Sequence, residues 1–402
     1  MLSQEALPIV KATVPVLREY GSAITKHFYQ RMFNHHPELR NLFNMGNQSQ
    51  GDQPQALAAA VYAYAANIEN PAALLPVLER IAQKHVSLGI QPAQYTIVGK
   101  HLLASIKEVL GDAATPAIMA AWDEAYWVLA GELIAREAQI FQTNQWRAGQ
   151  AWRKVVVTHK EAAGSDCVNL YLRAETGSLP SFVPGQYLSV ALDLPELSLR
   201  QIRQYSLSMA PGSDQWRITV KRVEAASTPA GMISNRLHDD IAVGSVLEVG
   251  PPAGDFVLPD VTNEPIVLLS AGVGITPMVS ILQTLALRGC QQPVWFIYAG
   301  TEAHRYALRD DVEAALRSLP QAHYHVWLEQ LEEPANSHVD SHVHKGRVDL
   351  STLSQLPANA SYYLCGPQGF MREQRAALIR LGASPAQIQH EVFGPDLLSH
   401  LI

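Results

Sequence analysis

The chain has 402 residues, enough for two or three domains, and its 48% hydrophobic and 17% charged content is ordinary for a globular protein. A net charge of −7 and a pI near 6.1 provide no electrostatic footprint for nucleic acid or an anionic membrane. Three widely spaced cysteines, Cys167, Cys290 and Cys365, exclude a disulfide framework, a Cys-x-x-Cys metal site and an iron–sulfur relay.

Met1 to Val10 carries Glu5 and lacks a basic region ahead of an apolar run, so no signal peptide is expected and the cytoplasm is the expected location. Residues 1–143 read as helical. Ile24, Phe28 and Met32 recur at helical spacing up to His36-Pro37, and Asp52-Gln53-Pro54 opens a helix striped by Gln53, Leu57, Val61 and Tyr64. Asn70-Pro71 opens a third, with Leu74, Leu78, Ile81, His85 and Leu88 on its inner face and Gly89 and Pro92 at its end. Two longer helices follow, about Pro92 to Leu110 and Thr115 to Gln142.

An isolated histidine on an apolar helical face is more often a satisfied core residue than a ligand. His85 has company that shifts the balance. Tyr95 shares a stripe with Leu102, Ile106 and Val109, and Glu137 one with Tyr126, Leu133 and Ile140, an expensive place for an unpartnered carboxylate. A His, Tyr and Glu on three helices can satisfy one another, and a carboxylate on the second N–H of a metal-bound imidazole fixes its tautomer. Tyr29 and Gln53 are polar residues on otherwise apolar faces, where they could hydrogen-bond a ligand on iron.

The runs His27-Phe-Tyr-Gln-Arg-Met-Phe33, Pro37-Glu-Leu, Phe43-Asn-Met, Gly51-Asp-Gln53, Ala82-Gln-Lys-His85 and Arg136-Glu137-Ala138 resemble the globin domain of flavohaemoglobins. The resemblance implies one haem b with His85 as the iron ligand and Tyr95 and Glu137 as its hydrogen-bonded relay. Tyr29, Gln53 and Leu57 become distal residues, Phe43 packs on the porphyrin, and Lys84 and Tyr126 join the haem-side set. For Lys84 a solvated lysine stands as an equal alternative.

Residues 151–260 change to period-two runs: Trp152 to His159, Cys167 to Ala174, Gln186 to Asp193, Gln204 to Met209, Trp216 to Val223 and Ser245 to Val249. Six such strands suggest a closed antiparallel barrel, reached through the short polar linker Asn144 to Gln150. Arg203-Gln204-Tyr205-Ser206 suits a flavin, with a guanidinium for phosphate, a phenol for the isoalloxazine face and a hydroxyl for a ring nitrogen. Gly231-Met-Ile-Ser234 looks like a helix entry facing an anion, although an ordinary capped helix is the commoner meaning. With Pro184-Gly-Gln-Tyr187 these motifs resemble the ferredoxin-reductase type of FAD barrel. That likeness gives Tyr205 and Ser206 the flavin ring and Arg203, Gly231 and Ser234 the pyrophosphate, with Tyr187 and Gln204 beside them.

Residues 261–402 alternate strand and helix signals, as in a parallel sheet. Strands are expected at Pro265 to Ala271, Pro293 to Ala299, His323 to Leu328 and Tyr362 to Cys365. Pro265 to Leu287 is uncharged and long enough to span a bilayer, but its interior is punctuated by glycine and proline and reads as strand, loop and helix. In that loop Ala271, Gly272, Val273, Gly274, Ile275 and Thr276 offer backbone N–H groups to a dinucleotide phosphate, on an incomplete fingerprint. The ferredoxin-reductase likeness sets Cys365, Gly366 and Pro367 beside the nicotinamide, and Glu391, Phe393, Gly394 and Pro395 near flavin and nicotinamide. Glu302 could accept from a ribose 2′-OH, whereas Arg305 and Arg309 could receive a 2′-phosphate, so NADH and NADPH both stay open with a lean to NADH. His338, His342 and His344 read as a solvated loop.

Across its whole length the chain thus resembles a flavohaemoglobin: an all-α globin, an antiparallel six-stranded FAD barrel and an α/β NAD-binding domain. The likeness implies nitric oxide dioxygenase activity, with O2, NO and NAD(P)H as partners and a monomer without nucleic acid or stable membrane insertion. Lipid in the distal pocket is left open. So are reduction of another acceptor such as a peroxide, a gas-sensing or oxygen-binding role, and a flavin reductase with a haem-free helical module.

Overall fold

The computed structural model describes residues 2–43, 52–146, 150–224, 231–261, 263–330 and 341–394. They divide into two compact units. One runs through Trp152 and takes in Ala191–Arg203, and the other comprises Arg153–Val190 and Gln204–Phe393.

The first part of the chain folds into α1 (Ala6–Ala12), α2 (Val14–His35), α3 (Asp52–Ala66), α4 (Pro71–Leu88), α5 (Pro92–Leu110) and α6 (Pro116–Thr143). The last three each begin on a proline, whose missing N–H would have no helical partner there in any case. Ile24, Phe28 and Met32 of α2 bury against Leu102 and Ile106 of α5, as their spacing predicts. The Thr25 hydroxyl donates to the Pro54 carbonyl at 2.8 Å and fastens α2 to the start of α3. At the other end of the site, Ile90 N–H bonds the His85 carbonyl and Gly89 N–H that of Val86, a pair of bonds that stops α4 one turn past His85.

The antiparallel sheet comprises β1 (Arg153–Ala162), β2 (Cys167–Ala174), β3 (Tyr187–Leu194), β4 (Leu199–Ser206), β5 (Trp216–Lys221) and β6 (Val246–Val249), in the order β4-β3-β6-β1-β2-β5. A bridge between Leu207 and Ile218 joins the end of β4 to the far strand and closes the barrel. This corrects one expected strand. Gln204 to Met209 is not a strand of its own: β4 starts at Leu199, and Leu207 onward makes only the closing bridge. The run Leu199-Arg-Gln-Ile-Arg-Gln hides its period because polar Gln201 is as buried as Ile202.

The segment after Ser206 is held from two sides. Arg217, buried on β5, donates to the Ser208 carbonyl and pairs with Asp311 at 3.0 Å. Gln283 binds Asp311 through Nε2 at 2.7 Å and receives the Ala210 N–H through Oε1 at 3.0 Å, while the Ser280 hydroxyl donates to the Met209 carbonyl. The residues that follow the flavin-type motif are therefore tied directly to the helix that carries Ser280 and Gln283.

That helix is α8 (Ile275–Leu287), which leaves the parallel sheet formed by β7 (Ile266–Ala271), β8 (Val294–Gly300), β9 (Ala322–Leu328), β10 (Ser341–Lys345), β11 (Ser361–Cys365) and β12 (Ile388–Glu391). Their order is β10-β9-β8-β7-β11-β12, and every described pairing is parallel. Both faces are covered, with Leu268, Phe296 and Tyr363 in one cluster and Val267, Ile297 and Leu364 in the other. Also present are α7 (Met232–Asp239), α9 (Arg309–Leu316) and α10 (Gln368–Arg380). The uncharged stretch from Pro265 becomes β7 and α8, and among the described residues no helix is long and apolar enough to cross a membrane.

The histidine tract departs from expectation. His342 and His344 lie on β10, paired in parallel with β9, rather than in a solvated loop, while His338 lies outside the described residues. Strand pairing supplies partners for the backbone that a His-Val-His pattern does not announce. Burial first, and then its histidine neighbours, holds His325 down at about 4, so this imidazole is neutral.

Candidate functional site

Three helices meet at His85. Its Nδ1 lies 2.8 Å from Glu137 Oε1 and 2.9 Å from the Tyr95 hydroxyl, and that hydroxyl donates to the same carboxylate oxygen. Glu137 is only 3% exposed, so these partners are what make its place in the core tolerable. Burial, followed by the charge of Glu137 and the hydrogen bond to it, raises Tyr95 far above the ordinary phenol range. Tyr95 is thus a fixed donor and Glu137 a double acceptor. With Nδ1 committed as N–H to the carboxylate, the lone pair of His85 sits on Nε2, the nitrogen left for a metal. That tautomer fits a haem iron.

Tyr126 supports the relay from behind, its hydroxyl donating to the Tyr95 carbonyl. It comes so close to α5 that a Cβ on Gly99 would lie 2.4 Å from its ring. Gly99 was not singled out from the sequence, although an isolated glycine inside a helical pattern is the signal of such an approach.

On α2, Tyr29 is 6% exposed. Burial raises it above the usual phenol range, and a hydrogen bond with the Gln53 side chain works the other way. Phe43 meets the Tyr29 ring edge-on at 5.6 Å, and Leu57 packs into the same cluster. Tyr29, Gln53 and Leu57, the expected distal residues, and Phe43, the expected porphyrin contact, are therefore brought together. Lys84, next to His85 in sequence, is half-buried, and its carbonyl accepts from Ser87.

The flavin-type motif occupies the end of β4. Ser206 is buried, whereas Arg203, Gln204 and Tyr205 are half-buried. Gln204 Nε2 donates to the Ser189 hydroxyl at 3.0 Å, and Leu207 N–H donates to the Gln186 carbonyl, which brings Tyr187 and its neighbours beside this strand end. Arg203 Nη1 reaches the Ile202 carbonyl at 2.8 Å. Gly231 begins α7, its N–H bonded to the Val223 carbonyl beyond β5, and Ser234 lies in the first turn of that helix, half-buried. Apolar ring, guanidinium, hydroxyl and helix entry form a donor set that suits FAD.

The dinucleotide-type loop is built by close approach. A Cβ on Gly274 would fall 2.3 Å from the Cys365 carbonyl oxygen and 2.8 Å from Gly366 N, so Ala271–Thr276 and Cys365-Gly366-Pro367 are pressed together only because position 274 has no side chain. Cys365 stands opposite Ser270 on one side and Glu391 on the other. Burial, then Glu391, pushes its thiol well above the ordinary range, which keeps it protonated. The Ser270 hydroxyl, fully buried beneath this loop, has no hydrogen-bond partner among the described residues. An orphan donor under a bare glycine cradle fits a dinucleotide. Phe393 is half-exposed, Gly394 ends the described chain, and Pro395 lies outside it. Arg305 and Arg309 are both engaged by carboxylates, Arg305 by Glu302 at 3.2 Å and Arg309 by Glu313 at 2.8 Å.

A globin family model matches residues 26–133, and an oxidoreductase NAD-binding domain model matches residues 268–376. The chain is 49% identical over 401 residues to a flavohemoprotein of Bordetella parapertussis, covering 98% of this chain and 99% of that one. Among solved structures it is similar to a flavohemoglobin from Malassezia yamatoensis with bound FAD and heme, with TM-score 0.85 and 31% identity, covering 98% of this chain and all of that one. A further match is the FAD/NAD binding domain of nitric oxide dioxygenase from Vibrio cholerae, with TM-score 0.53 and 32% identity over 61% of this chain and 100% of that one.

Proposed function

The chain belongs to the flavohaemoprotein family, and from that membership we propose that it is a nitric oxide dioxygenase, turning NO and O2 into nitrate with electrons from NADH. At the coarser level it is an oxidoreductase in which NAD(P)H drives a haem globin through an FAD reductase. When bound, haem b supplies the iron at which the two gases react, and FAD supplies the division of a hydride into single electrons.

The observation that carries the proposal is the triangle of His85, Tyr95 and Glu137. A buried carboxylate holding the Nδ1 proton makes Nε2 a stronger donor, which suits electron donation toward oxygen better than reversible storage. Lys84 and Tyr126 belong to this haem-side set. Opposite them in role, Tyr29 offers its hydroxyl proton, Gln53 orients it and Leu57 keeps water out, while Phe43 would pack on the porphyrin. Arg203, Gly231 and Ser234 would hold the FAD pyrophosphate and Tyr205 and Ser206 the flavin ring, with Tyr187 and Gln204 beside them. Ala271, Gly272, Val273, Gly274, Ile275 and Thr276 receive the dinucleotide phosphates, and Cys365, Gly366, Pro367, Glu391, Phe393, Gly394 and Pro395 line the nicotinamide end. The corresponding regions are residues 1–143, 151–260 and 261–402.

NADH is preferred in this reading because the two arginines placed to receive a 2′-phosphate are already engaged by Glu302 and Glu313. Three free thiols support a reducing compartment, the cytoplasm, in this reading.

The test is spectroscopic and chemical. Anaerobic NADH should shift the Soret band to its ferrous position, and NO added under air should disappear with stoichiometric nitrate. Aerobic NADH turnover that leaves NO untouched, or that yields no nitrate, overturns the proposal. The Tyr29 assignment has its own check: Tyr29→Phe should raise the O2 off-rate about fivefold, the equivalent of one neutral hydrogen bond of ~1 kcal/mol. Stopped-flow ligand replacement measures it, and an unchanged off-rate removes Tyr29 from the distal role.

A further inference from the structure

The strand that carries the flavin-type motif is also tied to the turn that ends at Phe43. Arg200 N–H donates to the Asn41 side-chain oxygen at 2.9 Å, and Gln201 Nε2 donates to the Phe43 carbonyl at 3.4 Å. Asn41 lies in the short helical turn Pro37–Leu42, which Phe43 closes. Both ties fall inside the first compact unit, the one that takes in Ala191–Arg203. The start of β4 is thus fastened to the turn before α3, and three residues further along the same strand stands Arg203.

Gln201 is the centre of this arrangement. It is 1% exposed, and both ends of its amide are engaged. Oε1 accepts from Arg203 Nη1 at 3.3 Å, while Nε2 donates to the Arg200 carbonyl at 3.0 Å as well as to that of Phe43. A buried amide costs free energy unless partners are supplied, and the neighbouring Ile202 is buried on the same strand with no polar group to satisfy. Filling space therefore does not require a glutamine at 201. What it adds is a single planar group joining a guanidinium to a backbone carbonyl. Beyond that carbonyl, the Phe43 ring meets Tyr29 at 5.6 Å and Phe33 at 5.4 Å, both edge-on.

We propose that Gln201 is a positioning residue that couples FAD binding at Arg203 to haem retention at Phe43, a coupling that rests on the roles proposed for those two residues. A pyrophosphate gripped by Arg203 fixes the guanidinium. Nη1, shared between Gln201 Oε1 and the Ile202 carbonyl, is fixed with it. Because the amide is planar, holding Oε1 also sets the direction in which Nε2 donates. The Phe43 carbonyl then keeps its partner, and the ring keeps its place against the porphyrin. With no phosphate to hold it, the guanidinium can turn away from Gln201, and the link to Phe43 loosens. Such coupling is reciprocal: FAD raises the affinity for haem by the factor by which haem raises the affinity for FAD.

The test uses the full chain, with haem affinity followed as loss of haem to an excess of an apo-globin acceptor, at saturating FAD and after FAD removal. In the wild type FAD should raise haem affinity about fivefold, and haem should lower the FAD dissociation constant by a similar factor. Gln201→Leu, close in volume, removes both ends of the link. Gln201→Glu keeps an acceptor for Arg203 but offers the Phe43 carbonyl no donor. Both variants should bind haem and FAD and lose the mutual dependence, whereas a residue that only fills space would shift the melting temperature and leave the factor intact. Haem and flavin spectra show that each variant is folded. Haem affinity independent of FAD in the wild type, or undiminished dependence in either variant, overturns the coupling and leaves the proposed function standing. A wild type that takes up no haem or no FAD overturns both.

Discussion

A His85→Ala variant is expected to emerge without a Soret band, while its flavin remains bound and is still bleached by NADH. The effect should be close to complete, because no other described side chain offers a nitrogen held in the ligating tautomer by a buried carboxylate. Loss of the imidazole has a second consequence. Glu137 keeps Tyr95 as a donor but loses the other, and a buried carboxylate short of one partner costs about 1–3 kcal/mol. The melting temperature of the helical part should therefore fall even when variant and wild type are compared without haem. The absorption spectrum and a haem assay decide the first point, and calorimetry the second. A normal Soret band in this variant would remove His85 as the ligand. Glu137→Gln separates electronics from packing: it should keep the haem, because an amide can still accept from Nδ1, but it removes the carboxylate charge that makes the ligand electron-rich. Its reduction potential should rise, whereas a purely structural role for Glu137 would leave the potential where it was.

What the sequence revealed of this molecule follows from which interactions have a period. The helices around His85 were readable because Leu74, Leu78, Ile81 and His85 repeat at helical spacing and proline marks three of the starts. The relay of His85, Tyr95 and Glu137 was readable because polar residues on apolar stripes must find one another. β2 was expected and found at Cys167–Ala174, whose alternation is clean. β4 was misplaced because Arg200, Gln201, Arg203 and Gln204 interrupt any apolar pattern, and because the barrel closes through a single bridge at Leu207. β10 and β12 were missed for a related reason: strands of five and four residues at the end of a sheet are stabilised mainly by their neighbour, which no local pattern reports. Arg217 and Asp311, 94 residues apart, form a tie that only the folded chain can disclose. The His325 and His344 pair is hidden in the same way, since the two lie 19 residues apart on strands that meet only in the folded sheet.

At the dinucleotide loop, Gly274→Ala is expected to abolish most NADH-driven flavin reduction while leaving haem and FAD content unchanged. Position 274 has an ordinary right-handed backbone with φ −61°, so alanine meets no conformational penalty there. The cost is entirely steric. The new methyl would lie 2.3 Å from the Cys365 oxygen, 2.6 Å from its carbonyl carbon and 2.8 Å from Gly366 N, all backbone atoms that cannot swing aside as a side chain would. Either the loop lifts or the end of β11 moves, and in both cases the N–H groups meant for phosphate and the wall meant for nicotinamide lose their register. A loss of kcat/KM for NADH of at least about tenfold, or 1.4 kcal/mol, is the expected size. Dithionite should still reduce the haem, which isolates the fault to the hydride-donor end. Gly369→Ala provides the comparison: it lies just beyond the same turn, in α10, and a Cβ there meets nothing within 4 Å. Alanine at 369 should be neutral or slightly stabilising, as a better helix former than glycine. If the two variants lose NADH activity alike, close approach at Gly274 is not what shapes the loop, and the assignment of Ala271–Thr276 to the dinucleotide loses its physical basis.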